Sequence, residues 1–295
     1  MLVRTAWLTD NGAISPSARQ TVPLTATSNP ARSSEAHSQL GPLSTRFAIE
    51  WIDCCTSTNS VLMERPATTS GPIPVLVADQ QTAGRGRRGR HWQSWPEGSL
   101  TFSLQWRFAT GSPAPAGLSL VAGLAVARAL EQLDVPGVQL KWPNDVLIHG
   151  EKLVGILVEL QPARDRSLAA VIGIGINVCL PPDARIERDT GVTDLAHALE
   201  GTAPTRPVLL ARVLAELAHL LDTYATAGFP ALKGAWEQRN AFAQLPVRIS
   251  SDQDSTDGTC LGVDDDGALL LETAGGIQRI LAGDVSLRPI GGERA

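Results

Sequence analysis

The sequence predicts a mixed α/β domain followed by a small all-β domain, and three observations carry that prediction. At 295 residues the chain is long enough for one sizeable core and a second, smaller one. From Phe47 to Gln238 short apolar strands are interleaved with amphipathic or fully apolar helical stretches. After Phe242 the texture changes to the short strands PVRIS, TCLGV, ALLLE, GIQRIL and VSLRP. Turn residues at Asp264–Gly267 and Gly275–Gly276 separate them, a pattern of small barrels and sandwiches.

The elements follow in order. Residues 1–45 are rich in Ser, Thr, Ala and Pro, carry only Asp10 and Glu35 as acids, and show no sustained periodicity. They are expected to be a disordered extension, dispensable over residues 1–40, with some likeness to a transit peptide and too irregular for a helix-turn-helix. FAIEWID, from Phe47, reads as a strand, and Ser57-Thr58-Asn59 starts a short helix with a hydroxyl to cap it. Val75–Ala78 is an apolar strand, and in Ser99–Arg107 Leu100, Phe102, Leu104 and Trp106 alternate as in a half-buried strand. Past a Pro-rich link at 111–115, Gly117–Leu133 is apolar on most faces and should be a buried helix. Strands are expected to end at Lys141 and to cover Val146–Ile148, Leu153–Leu160 and Leu168–Ile172, the last entering GIGIN at Gly173–Asn177. A polar loop from Pro181 to Val192 precedes a long amphipathic helix, Arg206 to about Tyr224, and a shorter one over Phe229–Gln238. The expected division is 1–45, 46–241 and 242–295.

Composition narrows the function. A formal net charge of −5 argues against a dedicated nucleic-acid binder, so basicity here is local. Four cysteines form no CxxC, and Cys54 and Cys55 are adjacent, which suggests a reduced, cytoplasmic setting. Five histidines show no ligand spacing, so no transition-metal site is expected. No run is long and apolar enough to suggest membrane insertion. Lysine is confined to Lys141, Lys152 and Lys233, so a lysine inside a motif is a candidate for chemistry that arginine cannot replace.

The local basicity is GRGRRGR, Gly84 to Arg90, which sets Arg85, Arg87, Arg88 and Arg90 on a backbone loosened by three glycines. Such a loop suits closure over an anion, because guanidinium forks and nearby backbone N–H groups bind phosphate or carboxylate together. RG-rich tails bind nucleic acid, but this run joins two strands inside a folded domain. A second motif is KWPND, Lys141 to Asp145, where Trp142 and Pro143 stiffen the chain around Lys141. Asn144–Asp145 read on their own are an ordinary turn.

STN, QTAGRGRRGR, KWPND, GILVE and GIGIN in this order resemble the biotin protein ligases over residues 47–290. The resemblance implies a catalytic domain like those of class II aminoacyl-tRNA synthetases and lipoate ligases, followed by an SH3-like barrel. It implies ATP and biotin as substrates with Mg²⁺, biotinyl-5′-AMP as intermediate, and a biotin carboxyl carrier protein as acceptor. It also implies that Ser57, Thr58, Gln81, Gly84, Arg85, Lys141 and Gly155 line the biotin site, with Lys141 and Arg85 closest to the chemistry. Arg87, Arg88, Arg90, Trp92, Asn177 and, in the small domain, Arg288 would face the adenylate. Residues 1–45 supply no winged helix, so no DNA binding is expected, and a homodimer is left open. The 181–192 loop lacks the tryptophan that caps adenine in some members, leaving Ile186 as a candidate. The rivals are a lipoate or octanoate ligase, whose loop is typically shorter and of RRxSGGG type, and a non-enzymatic binder.

Overall fold

The computed structural model describes residues 27–67, 70–109, 115–162, 168–182, 184, 191–251, 254–281 and 286–290. Seven strands form the larger sheet: β1 (Phe47–Cys55), β2 (Ile73–Gln81), β3 (Ser99–Arg107), β4 (Val138–Lys141), β5 (Asp145–Ile148), β6 (Glu151–Pro162) and β7 (Leu168–Asn177). Their order is β1-β2-β3-β7-β6-β5-β4, with β1 and β2 parallel and the other neighbours antiparallel.

Alternation along the strands gives the sheet two unlike faces. On one face Leu100, Phe102 and Leu104 of β3 and Ile172, Ile174 and Ile176 of β7 join the main core. That core is closed by α3 (Leu118–Glu131) and α5 (Arg206–Ala227), whose Leu209, Val213, Leu217 and Leu220 are buried. Burying one such leucine contributes about 1.5–3 kcal/mol. The intervening residues, Thr101, Ser103 and Gln105 on β3 and Gly173 and Gly175 on β7, face the other way. There they meet α2 (Thr58–Glu64), whose Leu62 closes a small cluster with Ile52, Leu76, Ala78 and Val171. The rest of that face is open and forms the floor of a cleft. Two short helices complete the larger domain, α4 (Leu195–Ala198) and α6 (Pro230–Glu237).

The N-terminal expectation needs correction. Residues 30–40 form a helix, α1 (Pro30–Leu40), rather than a disordered extension. The Asn29 side chain caps it by accepting from Arg32 N at 3.3 Å, and Pro30 fixes the first turn. Ala36 and Leu40 are buried in the main core, and ahead of the helix Asn29 N donates to Trp51 O of β1 at 2.7 Å. A helix this short and poor in apolar residues is marginal alone; packing on α5 supplies its stability, which periodicity could not show. The dispensability expected of residues 1–40 therefore does not extend to 27–40. Residues 1–26, the link at 111–114 and most of 183–190 lie outside the described residues.

The C-terminal strands are β8 (Pro246–Ser250), β9 (Ser255–Val263), β10 (Leu269–Thr273), β11 (Gly276–Ile280) and β12 (Ser286–Pro289). They form one antiparallel sheet in the order β11-β10-β9-β8-β12, which among the described residues does not close into the expected barrel. The sheet is fastened to the larger domain where Trp142 Nε1 donates to Gly267 O at 3.0 Å. Gly267 (φ +78°) lies so close there that a Cβ would come within 2.9 Å of the Gly117 Cα. No described helix is long and apolar enough to cross a membrane.

Candidate active site

Strand register alone builds the cleft floor. Thr101, Gly175, Gly155, Asp145 and Lys141 stand opposite one another across β3, β7, β6, β5 and β4. The two glycines in the middle leave a gap in this row, and the indole of Trp92 lies in it. A Cβ on Gly175 would clash with the indole's Cε2 and Cζ2, and one on Gly155 would come within 3.0 Å of its edge. Trp92 follows the arginine loop and is 8% exposed. The cleft offers about 1080 Å³ of free space, counting solvent at its mouth.

A polar network forms one wall. Ser57 caps α2, and the next residue, Thr58, donates its N–H to Gln81 Oε1 at 2.7 Å. The Ser103 hydroxyl lies 2.7 Å from Thr58 Oγ1 and donates to Asn59 Oδ1 at 2.6 Å. Asn59 Nδ2 donates in turn to Glu159 at 2.9 Å, and Glu159 accepts from Arg85 at 2.6 Å. Gly173 is required here because a Cβ would meet the Asn59 amide. Asn59, Ser103 and Glu159 thus tie the arginine loop to the sheet; Asn59 and Glu159 lie in the STN and GILVE motifs, which assign them no role, and Ser103 lies in none of the motifs.

Opposite this wall stand two lysines. Lys141 lines the cleft with its ammonium 5.8 Å from the centroid of the Phe242 ring. Lys152 reaches the same cleft by a different device. The β5–β6 pairing slips between Val146 and Leu147, and this bulge brings Lys152 onto the floor side beside Gly155. Its backbone is held by Gly191 and Thr193, and its ammonium pairs with Asp145. Lys152 is only 8% exposed. A buried ammonium costs stability unless it is paired and hydrogen-bonded. The KWPND turn is more than a turn: Asn144 donates to Ile156 O at 2.7 Å and accepts from Arg87 at 3.1 Å. The Trp142–Pro143 bond is cis.

Most residues predicted from sequence meet here. Ser57, Thr58, Gln81, Arg85, Lys141 and Gly155 line the cleft, as do Arg87, Arg88, Arg90 and Trp92, and Arg288 of β12 reaches it from the small sheet. Two do not line it. Gly84 lies beneath the loop, where a Cβ would press on Trp92 O and come within 2.8 Å of Gln81 Nε2. Asn177 is buried at the end of β7 and donates to Thr193 O at 3.1 Å, bracing the segment that holds Lys152. Ile186 lies outside the described residues. Cys55, next to the α2 cap, is no nucleophile, because burial pushes its thiol up to about 12. All four cysteines are unpaired.

Comparison with known proteins agrees with this geometry. Residues 51–177 match the Biotin/lipoate A/B protein ligase family, and residues 246–288 match the Biotin protein ligase C terminal domain. The Biotin--[acetyl-CoA-carboxylase] ligase of Paracoccus denitrificans is 37% identical over 239 residues, 78% of this chain and 96% of that protein. The Bifunctional ligase/repressor BirA of Salmonella typhimurium is 37% identical over 236 residues, 79% of this chain and 72% of that protein. The biotin protein ligase of Aquifex aeolicus, solved in complex with biotin and ATP, superposes with a TM-score of 0.71 at 32% identity. That match covers 82% of this chain and 98% of the other.

Proposed function

Because this chain belongs to the biotin protein ligase family, we propose that its cleft divides into a glycine-floored biotin slot and an arginine-lined nucleotide half. The enzyme activates biotin as biotinyl-5′-AMP, with loss of pyrophosphate, and passes the biotinyl group to a lysine of the carrier protein. The observation that carries the division is the side-chain-free strip over Gly155 and Gly175 under Trp92, flanked by Lys152 and the arginine loop.

The first step brings a carboxylate against a triphosphate, so electrostatics and positioning dominate its barrier. Biotin's flat bicyclic ring lies beside the Trp92 indole, which itself rests on the two glycines, and the Thr58–Gln81 pair supplies polar partners. Lys152, a compact charge fixed by the bulge, holds the biotin carboxylate near the α-phosphate. Lys141 and Arg288 face the phosphates from the small-sheet side. Arg85, Arg87, Arg88 and Arg90 close over the adenylate and exclude water from the reactive anhydride. Magnesium fits as an ion delivered with ATP. The row carries one carboxylate, Asp145, and no cluster of three metal-ligating acids, cysteines or histidines occurs among the described residues. Mg²⁺ commonly binds in this way, through one or two carboxylates plus substrate phosphates, and it would neutralise phosphate charge. We read the larger domain as class II synthetase-like and the small sheet as SH3-like; five short antiparallel strands support the latter.

The direct test is incubation with ATP, Mg²⁺ and biotin without acceptor, followed by mass spectrometry of the ligand retained on the protein. Biotinyl-AMP is expected. A lipoyl or octanoyl adenylate formed in preference would overturn the substrate assignment.

The acceptor docks, on this reading, along β6. Its partner β5 stops opposite Gly155, so among the described residues no strand pairs with Leu157–Pro162 on that side, and Leu160 there is 47% exposed. A folded carrier can add a strand to such an edge and deliver its lysine at a fixed angle. An excised peptide must lose that freedom on docking. Its kcat/KM should fall below that of the intact carrier domain on the order of a hundredfold; equal values would sink edge docking.

A further inference from the structure

We propose that Arg32 and Arg206 clamp together the two feet of the arginine loop, which makes Arg32 a positioning residue for retention of the adenylate. The loop leaves the sheet at the end of β2 and returns at the start of β3. Asp79 sits at the first foot, two residues before Gln81, and Glu97 sits at the second, two residues before Ser99. Both carboxylates are gripped by the same two guanidinium groups.

Arg32, from α1, donates through Nη1 to both Asp79 oxygens at 2.8 and 2.9 Å and through Nη2 to Glu97. Arg206, at the start of α5, donates through Nη1 to Asp79 at 3.0 Å and to Ser99 O at 3.4 Å, and its Nη2 lies 2.7 Å from Glu97. Beneath them Trp51 donates its indole N–H to Asp79 at 2.6 Å. The two guanidinium carbons lie 5.7 and 5.5 Å from that ring's centroid. A guanidinium that bridges two carboxylates over an aromatic face is an arrangement that lysine does not reproduce.

Two features separate this cluster from ordinary packing. The Glu97 side chain is 69% exposed, so burial does not explain its place, and its backbone is held at φ +61°. A left-handed non-glycine residue at a loop foot is a conformation that its partners must maintain. Both arginines also lie outside the 51–177 segment that matches the family, Arg32 ahead of it and Arg206 beyond it, while Asp79 and Glu97 lie inside.

The test uses the full chain carrying Arg32→Met, which keeps the apolar stem and removes the fork. Trypsin cleavage within Arg85–Arg90, measured without substrates, should become about fivefold faster, as should release of preformed biotinyl-AMP in a chase. Cleavage at Arg248, in the small sheet, serves as the control and should not change. Arg32→Lys should recover only part of both effects. Loop cleavage and release both within about twofold of the parent would overturn the clamp. Should Arg32→Met fail to fold, Glu97→Gln, at an exposed side chain, must show the same two accelerations or the proposal falls. The release arm rests on the ligase reading, whereas the cleavage arm does not. A parent protein that makes no adenylate would therefore overturn that reading and leave the clamp to be decided by proteolysis.

Discussion

Lys152→Met should lower the single-turnover rate of biotinyl-AMP formation on the order of a hundred- to a thousandfold, the range seen when one preorganised charge is removed from a transition state. The sequence points to Lys141 for this role, yet the two lysines are held differently. Lys152 is buried on the floor by a bulge and an ion pair, while Lys141 stands beside Phe242 toward the small sheet. Lys141→Met should therefore cost less. The change at Lys152 also strands the Asp145 carboxylate, so the fold is checked with the Lys152→Met, Asp145→Asn pair, which leaves no unpaired charge. Quenched-flow measurement of pyrophosphate release on all three proteins decides the matter. If Lys141→Met proves the more damaging in folded protein, the two roles are reversed.

Gly175→Ala should weaken biotin binding by between about fivefold and a hundredfold, the equivalent of the roughly 1–3 kcal/mol that overpacking costs. The added methyl clashes with Cε2 and Cζ2 of the Trp92 indole, so the indole must leave the floor. Gly155→Ala meets the ring's edge at 3.0 Å and the end of the Lys152 side chain at 3.3 Å, a milder crowding that should cost clearly less. Neither glycine has positive φ, so the effect is steric and not one of backbone strain. Titration calorimetry with biotin gives both values, and equal losses would show that Trp92 does not cover the slot in solution.

Much of this is legible in the sequence for a definite reason. Alternation in SLTFSLQWR reports which face each side chain takes, with Leu100, Phe102 and Leu104 in the main core and Thr101 and Ser103 on the other face. But β3 is buried on both faces from Ser99 to Gln105 and not half-buried as expected. GRGRRGR and KWPND are visible because their composition suits neither helix nor strand core. What stays hidden depends on contacts between distant segments. Lys152 sits in a strand that reads as plain EKLVGILVEL, and only the bulge turns it toward the cleft. The scarcity of lysine is a signal that applies to it as much as to Lys141. The role of Asn59 depends on Ser103 and Glu159, which lie 44 and 100 residues away. GIGIN makes Asn177 conspicuous, but no sequence pattern shows that its amide donates to Thr193 O of a neighbouring segment. Helix α1 escapes a reading of periodicity because its stability lies in α5 and β1 rather than in its own pattern.

The joint between Gly117 and Gly267 has a consequence for how the protein can vary. Two bare stretches of main chain meet there, and the carbonyl of one receives the indole hydrogen of Trp142 from the cleft wall. A contact between side chains can be retuned by exchanging one residue for another of similar volume. A contact between backbones has no such adjustable part, and with φ at +72° and +78° neither position readily accepts a replacement. The small sheet is thus free to diversify over its outer strands while its seat against the nucleotide half of the cleft stays fixed. Surface loops such as Asp264–Asp266 can drift in charge and length only to the extent that they return the chain to Gly267 at the same height and angle.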